Sequence, residues 1–283
     1  MSIKILDGIK LAQSIRLEIK EAIYSKIGKG IRPPCLSVIL IGDDPASKIY
    51  VNQKKKACEE VGVNSEIYQR PASSTQDELN DLINNLNHDN RVDGILLQLP
   101  IPKHLSTIQS LDKIDPCKDV DGLTSFNQGT VLTKQPGLYP CTPLGIMEIL
   151  NKHDSLSGKK VALVGYSLLV GAPLSTMLIH QGATVTVITK STVDAPNIAK
   201  QADIIIVAAG VKHLVDKKWV KKDAVIVDVG IHRDGKTLSG DVYFDDVKSV
   251  AGAITPVPGG VGPMTVAFLL KNCLNAYLKN IIH

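Results

Sequence analysis

The chain is poor in aromatic residues, with one Trp, three Phe and seven Tyr among 283 residues. Its core has to be built from Ile, Val, Leu and Ala instead. Many of these are β-branched and fall in short runs, which favours buried strands. It also lacks an excess of charge, the formal net charge being +4. No dense Lys/Arg stripe with interleaved aromatics is present, so nucleic acid is not an expected partner. The five cysteines, Cys35, Cys58, Cys117, Cys141 and Cys273, form no CxxC or other ligand spacing, and the seven histidines are dispersed. Neither a metal site nor a disulfide framework is expected. The opening residues MSIKILDGIKLAQSIRLEIK have no apolar signal-peptide core. From Val161 to Thr189 there is no Asp, Glu, Lys or Arg, which resembles a membrane span in hydropathy alone. Gly165, Gly171, Pro173 and Gly182 break that stretch into strand, turn, helix, turn and strand. A buried βαβ unit, no membrane partner and a cytoplasmic location are the expectations.

What is present is an α/β alternation along most of the chain. Cys35–Ile41 (CLSVILI) and Gly94–Leu99 (GILLQL) read as buried strands, Ser65–Gln69 as a further strand, and Ala46–Val61 and Thr75–Asn87 as helices. Residues Pro100–Pro143 are rich in Pro and Gly and read as loops. Thr142-Pro143 is a helix-start signal, with Thr as cap and Pro in the first turn, leading into Leu144–His153. The second half then reads as strand Val161–Val164, helix Leu169–His180, strand Thr184–Ile188, helix Ala195–Gln201, strand Asp203–Ala208 and strand Ala224–Val229. This is a Rossmann-like succession. Met264–Asn280 reads as a closing helix.

Two segments carry chemistry. In GDDPASKIYVNQKKKA, Tyr50 and Lys54 lie four residues apart on a helix and share one face. A phenol beside an amine can handle protons, although a surface lysine gives the same pattern. The second is GYSLLVG, Gly165 to Gly171. It departs from GxGxxG, with Ser167 in the second glycine's place and the last glycine one residue late. Gly165, Ser167 and Gly171 still satisfy the need for a tight turn, close phosphate approach and a helix N-terminus aimed at an anion. After the next strand, Thr189, Lys190 and Ser191 stand where an NAD site would carry an acid for the ribose hydroxyl. A lysine and hydroxyls suit a 2′-phosphate, which points to NADP over NAD.

Several segments together resemble the bifunctional methylenetetrahydrofolate dehydrogenase/methenyltetrahydrofolate cyclohydrolase family. They are ASKIYVNQKKKACEEVGV, DGILLQLPIP, KDVDGLTSFNQG, PCTPLGIMEIL, GYSLLVGAP, VIVDVGI and ITPVPGGVGPMTVAFLL. Their order is the family's, and they span nearly the whole chain. The resemblance implies an α/β protein of two domains with the active site in the cleft between them. Residues 1–141 plus 264–283 would form the catalytic, folate-binding domain, and 142–263 a Rossmann-like NAD(P)-binding domain. It also implies a homodimer.

By the same match, Lys54 is the catalytic lysine, Tyr50 the active-site tyrosine, Gln98 the glutamine that contacts the lysine, and Asp121 the carboxylate that holds the pterin. Pro100, Gly262 and Pro263 fall in segments lining the folate site. Gly165, Tyr166, Ser167 and Gly171 fall in the cofactor segments, as do Lys190 and Ser191, Ala209 and Gly210, and Ile231 and Thr265. Two departures stand out. The family commonly has Gly-Arg-Ser at Gly165-Tyr166-Ser167, and a His-Ser-Arg/Lys-Thr run at Thr189-Lys190-Ser191-Thr192. Lys190 and Ser191 are expected to take over part of the missing arginine's role. The neighbouring Asp119 is expected to face away from Asp121 in an extended segment. Asp228 and Thr265 read as structural caps first and cofactor contacts second. The competing readings are a monofunctional dehydrogenase of the same fold and a non-catalytic nucleotide sensor.

Overall fold

The computed structural model describes residues 3–235 and 237–281. Along the chain the first elements are β1 (Lys4–Ile5), α1 (Gly8–Ile27), β2 (Cys35–Ile41), α2 (Pro45–Val61), β3 (Asn64–Arg70), α3 (Gln76–His88), β4 (Gly94–Leu97), α4 (Thr107–Asp112) and α5 (Ser125–Thr133). Then follow α6 (Cys141–His153), β5 (Lys160–Val164), α7 (Gly171–His180), β6 (Thr184–Ile188), α8 (Ala195–Ala199), β7 (Ile204–Val207) and β8 (Val225–Asp228). A short hairpin, β9 (His232–Asp234) and β10 (Thr237–Ser239), precedes α9 (Phe244–Val247), β11 (Ala253–Ile254) and α10 (Val261–Asn280).

The chain divides into two compact units. One joins Gln13–Cys141 to the segment from Val266 onward. Its sheet has three parallel strands in the order β3-β2-β4. Every residue of β2 is buried, as its near-continuous apolar run requires. One face packs Ile39, Ile41, Ile95 and Leu97 against Leu79, Ile83 and Leu86 of α3. Helix α3 opens on a capping box in which the Thr75 side chain accepts from the Glu78 amide and Glu78 reaches back to the Thr75 amide. The last turn of α10 is tied down by polar clasps. Arg32 grips Asp93 through both terminal nitrogens at 2.6 and 2.8 Å, Asn280 donates to Asp93, and Tyr277 donates to the Arg32 carbonyl.

The other unit runs through Ala12 and from Thr142 to Thr265. Its six parallel strands lie in the order β1-β11-β8-β7-β5-β6. From β5 the chain steps to one side for β6 and to the other for β7, so the strand order reverses between β5 and β7. Ligands of such sheets bind at the carboxyl ends of the strands beside that switch. The core packs Ala162, Val164, Ile205, Val207 and Ile226 with Ile188 and Ile254.

Three expectations need correction. The first dozen residues do not all join the unit that carries Tyr50 and Lys54. β1 pairs in parallel with β11, and two residues of KI give no periodic signal to read. The stretch Pro100–Pro143 is not all loop. It holds α4, capped by Ser106, and α5, capped by Thr124 and closed by Lys134 at φ 58 where glycine is usual. Thr142 is not the cap of α6, which starts at Cys141. Its hydroxyl lies 3.0 Å from that of Thr265 instead, and Pro143 sits in the first turn, where its missing N–H costs nothing.

Candidate active site

Helix α2 carries Tyr50 and Lys54 on one face, along the same stripe that it turns to the core. Ser47, Val51, Ala57, Cys58 and Val61 are buried. Asp44 caps its start by accepting from the Ser47 amide, Pro45 occupies the first position, and Gly62 ends it at φ 86. Lys54 is half-buried and Tyr50 is 37% exposed one turn earlier. Just beyond the end of β4, the chain delivers Gln98, 7% exposed, whose amide still pairs with the Ile39 carbonyl. The Gln98 side chain is held at both ends: Nε2 donates to the Leu99 carbonyl at 2.7 Å, and Oε1 accepts from Lys54 Nζ at 3.0 Å. The amide anchors the amine without placing a negative charge beside it. Pro100 follows on the surface.

Asp121 belongs to the same cluster. Lys54 lies close enough to favour its ionised form, but burial is the larger influence and pushes the carboxyl above the ordinary range. Asp119 adds to that rise, and a hydrogen bond from the Cys141 thiol opposes it. Burial raises the thiol itself well above its usual value, so it stays protonated, and its proton also lies within reach of the Val120 carbonyl, 3.1 Å away. A buried carboxyl that shares its thiol neighbour with the Val120 carbonyl suits an incoming pair of N–H donors.

Asp119, assigned no direct role by the sequence, is far from idle. Its Oδ1 accepts from the Gly122 and Leu123 amides and its Oδ2 from the Thr124 amide and Asn127 Nδ2, at 2.8–3.1 Å. The carboxylate thereby shapes the turn that carries Asp121 and the start of α5. Asn272, on α10, donates to both the Val120 and Tyr139 carbonyls at 2.9 Å and fastens the two backbone segments that flank Asp121. Sequence reading missed Asn272. Its signal was a lone amide at a buried phase of an apolar helix.

In the other unit the loop after β5 has the form a nucleotide requires. Gly165 sits at φ 102, and a Cβ there would lie 2.2 Å from the Ala208 carbonyl oxygen. A Cβ on Gly171 would lie 2.4 Å from the Gly165 oxygen, so this glycine permits α7 to pack closely on the turn. No side chain caps the N-terminus of α7; the Ala172 amide bonds the Ser167 carbonyl, Pro173 has no N–H, and the Gly171 amide is left without a backbone acceptor among the described residues. Ser167 shapes the loop by accepting from the Val170 and Ala172 amides. Tyr166 is exposed.

After β6, Lys190 and Ser191 lie exposed in a turn closed by Thr189 and Thr192. The first acid beyond them, Asp194, is occupied by Asn197. Ala209 and Gly210 follow β7. Ile231 is exposed, and its Cδ1 lies 3.8 Å from where a Gly262 Cβ would be. Gly262 and Pro263 form the first turn of α10, which starts at Val261 and not at Met264. Asp228 is structural, accepting from the Gly230, Asp241 and Val242 amides. Among the described residues no group of three or more His, Cys, Asp or Glu could hold a metal ion, and no helix is long and apolar enough to cross a membrane.

These two constellations coincide with two family models. Residues 6–121 match the tetrahydrofolate dehydrogenase/cyclohydrolase catalytic domain, and residues 140–281 match the NAD(P)-binding domain of the same family. The chain belongs to the tetrahydrofolate dehydrogenase/cyclohydrolase family. Among curated relatives, the bifunctional protein FolD of Aquifex aeolicus is 49% identical, over 99% of this chain and 97% of that protein. Among solved structures, the Campylobacter jejuni bifunctional enzyme FolD is 45% identical with a TM-score of 0.95, covering 98% of this chain and 99% of that one. The Trypanosoma brucei enzyme, solved with NADP cofactor and an inhibitor, is 34% identical with a TM-score of 0.95 and full coverage of both chains. In this family setting the nucleotide loop fits NADP. Gly165 and Gly171 keep the turn free of Cβ atoms where a pyrophosphate would lie, the Gly171 amide would be available to it, and no acid stands at Lys190 and Ser191 to repel a 2′-phosphate.

Proposed function

We propose that the chain oxidises 5,10-methylenetetrahydrofolate to the 5,10-methenyl cation with NADP and hydrolyses that cation to 10-formyltetrahydrofolate. The observation that carries the reading is the 3.0 Å bond from Lys54 to Gln98 beside Asp121. NADP supplies the hydride acceptor. The residues named after β5, β6 and β7, with Ile231 and Thr265, are assigned to hold it. Asp121 would take the aminopyrimidinone edge of the pterin through paired hydrogen bonds, and Tyr50 would pack on the folate beside Lys54.

Hydride loss from the methylene carbon needs no strong enzyme base, because the flanking nitrogens stabilise the cation. Positioning accounts for most of that step. Hydrolysis is different. Water must lose a proton as it adds to the cation, and a nitrogen must gain one as the carbon–nitrogen bond breaks. Lys54 is placed to move both, with Gln98 aiming its amine. A monofunctional dehydrogenase would not need the Lys54–Gln98 pair, and a nucleotide sensor would need neither that pair nor Asp121.

Partner assignments follow from the surface. β3 is an edge strand of seven residues, none buried, with Ile67 exposed. Such an edge is a template for pairing with a second copy, which supports a homodimer. The deciding experiment follows NADPH formation and methenyl-folate absorbance with Lys54→Met. Hydrolysis should fall by about 10²–10⁴-fold, the usual contribution of a general acid–base group, while hydride transfer stays measurable. Equal loss of both activities would assign Lys54 to binding or folding.

A further inference from the structure

One buried carboxylate in the nucleotide unit has no part in the reading so far. Asp241 is fully buried. Its Oδ2 accepts from the Ala209 amide at 2.7 Å and the Gly210 amide at 2.8 Å, and its Oδ1 lies 2.7 Å from His232 Nε2. Its own amide donates to Asp228. The surroundings are built to admit these groups. A Cβ on Gly230 would lie 2.2 Å from Asp241 Oδ1, and one on Gly240 would lie 1.8 Å from Asp228 Oδ2. A carboxylate sunk this deep, with glycines cleared around it, has a positional task.

That task is legible in the turn it holds. Ala208–Gly210 leaves β7 at the carboxyl edge, beside the strand-order switch, and the Ala208 carbonyl abuts Gly165. With both amides of the turn drawn inward to Asp241, the carbonyls of Ala208, Ala209 and Gly210 are left without a backbone donor among the described residues. A row of acceptors at this place matches the donors of a dinucleotide, namely ribose hydroxyls and a carboxamide NH2. We infer that Asp241, steadied by His232, is a positioning residue for the nucleotide: it fixes the Ala208–Gly210 turn so that the Ala209 and Gly210 carbonyls face the cofactor's donors. The inference rests on the proposed use of NADP.

The family's two reactions make the test selective, because hydrolysis of supplied 5,10-methenyltetrahydrofolate uses no nucleotide. Asp241→Ala should raise both the KM for NADP and the Kd from NADPH fluorescence titration by about tenfold or more, the scale of a lost oriented hydrogen bond. The cyclohydrolase rate should stay within about twofold on the same preparation. Asp241→Asn keeps an acceptor for the two amides and should recover most of the NADPH affinity. His232→Ala should weaken NADPH binding less than Asp241→Ala, and His232→Gln, which keeps a donor, should restore it. Unchanged NADPH affinity in Asp241→Ala would overturn the inference. So would a parallel fall of both activities that Asp241→Asn does not reverse, since that is the signature of a purely structural residue. Wild-type protein that bound no NADPH would overturn the functional reading itself, and this inference with it.

Discussion

Asp119 offers the most exacting test of how Asp121, the proposed pterin anchor, is held. Its carboxylate, 1% exposed, accepts from the Gly122, Leu123 and Thr124 amides and from Asn127 Nδ2. Hydrogen bonds to a charged group contribute roughly 1.5–3 kcal/mol each. A simple sum over four would rival the whole stability of an ordinary domain, about 5–15 kcal/mol. Water entering the space left by Asp119→Ala would satisfy part of that loss, so about 3–5 kcal/mol is the expected cost, the usual figure for breaking a buried charged network. Asp119→Asn sharpens the test. It is nearly isosteric, but whichever way the amide is turned, its NH2 meets two donors, either Gly122 and Leu123 or Thr124 and Asn127. The expected cost is about 2–4 kcal/mol. Urea unfolding gives these values directly, provided the slope of the transition is unchanged. Because the same turn carries Asp121, the surviving Asn variant should also show a raised KM for the folate with the KM for NADP unaltered. Stability within about 0.5 kcal/mol of wild type, the range of ordinary surface substitutions, would refute the assignment of Asp119 as the organiser of this turn.

Two further outcomes follow from the nucleotide unit. Gly171→Ala places a Cβ 2.4 Å from the Gly165 oxygen and 2.7 Å from the Tyr166 Cα, both backbone atoms that cannot swing aside; the variant should lose about 1–3 kcal/mol and bind NADP more weakly, and an unchanged melting temperature and KM for NADP would contradict the close packing of α7 on its turn. Asp228 is 4% exposed and burial pushes its carboxyl up to about 6, against three backbone donors that pull it down. A raised carboxylate pKa contributes stability that is full below the unfolded value, near 4, and is lost as pH rises through the folded one. The stability difference between wild type and Asp228→Asn should therefore shift by roughly 2–3 kcal/mol between pH 4 and pH 7.5, with wild type relatively better at the acid end; a difference flat across that range would show that burial does not dominate at Asp228.

What the sequence disclosed and what it hid divide along the range of the interactions involved. β2 was legible because a strand buried on both faces needs a near-continuous apolar run, and CLSVILI, broken only by the small Ser37, is one. α3 was legible because its capping box lies within four residues, Thr75 to Glu78. Tyr50 and Lys54 were legible as a pair because helical spacing is itself local. The helices inside Pro100–Pro143 were not, since α5 is held by Thr124, by the Asp119 carboxylate in the turn before it and by a left-handed Lys134 that composition would not nominate. β1 was hidden for the same reason: two residues become a strand only when β11, about 250 residues later, offers an edge.

The site shows the same division more sharply. Lys54 and Asp121 stood out as charged residues in recognisable motifs. The groups that hold them in place did not, because Asn272 reaches back 152 residues to the Val120 carbonyl and Asp241 reaches back 32 residues to Ala209. A residue that touches substrate tends to sit in a motif, since several neighbours must share the ligand. A residue that positions another needs only one well-aimed side chain, and any element that passes nearby can supply it. The turn that carries Asp121 and the turn after β7 are both built this way, each set by a buried carboxylate that gathers backbone amides and one side chain. Substitutions that spare every contacting residue should therefore still separate folate binding, through Asp119, from NADP binding, through Asp241.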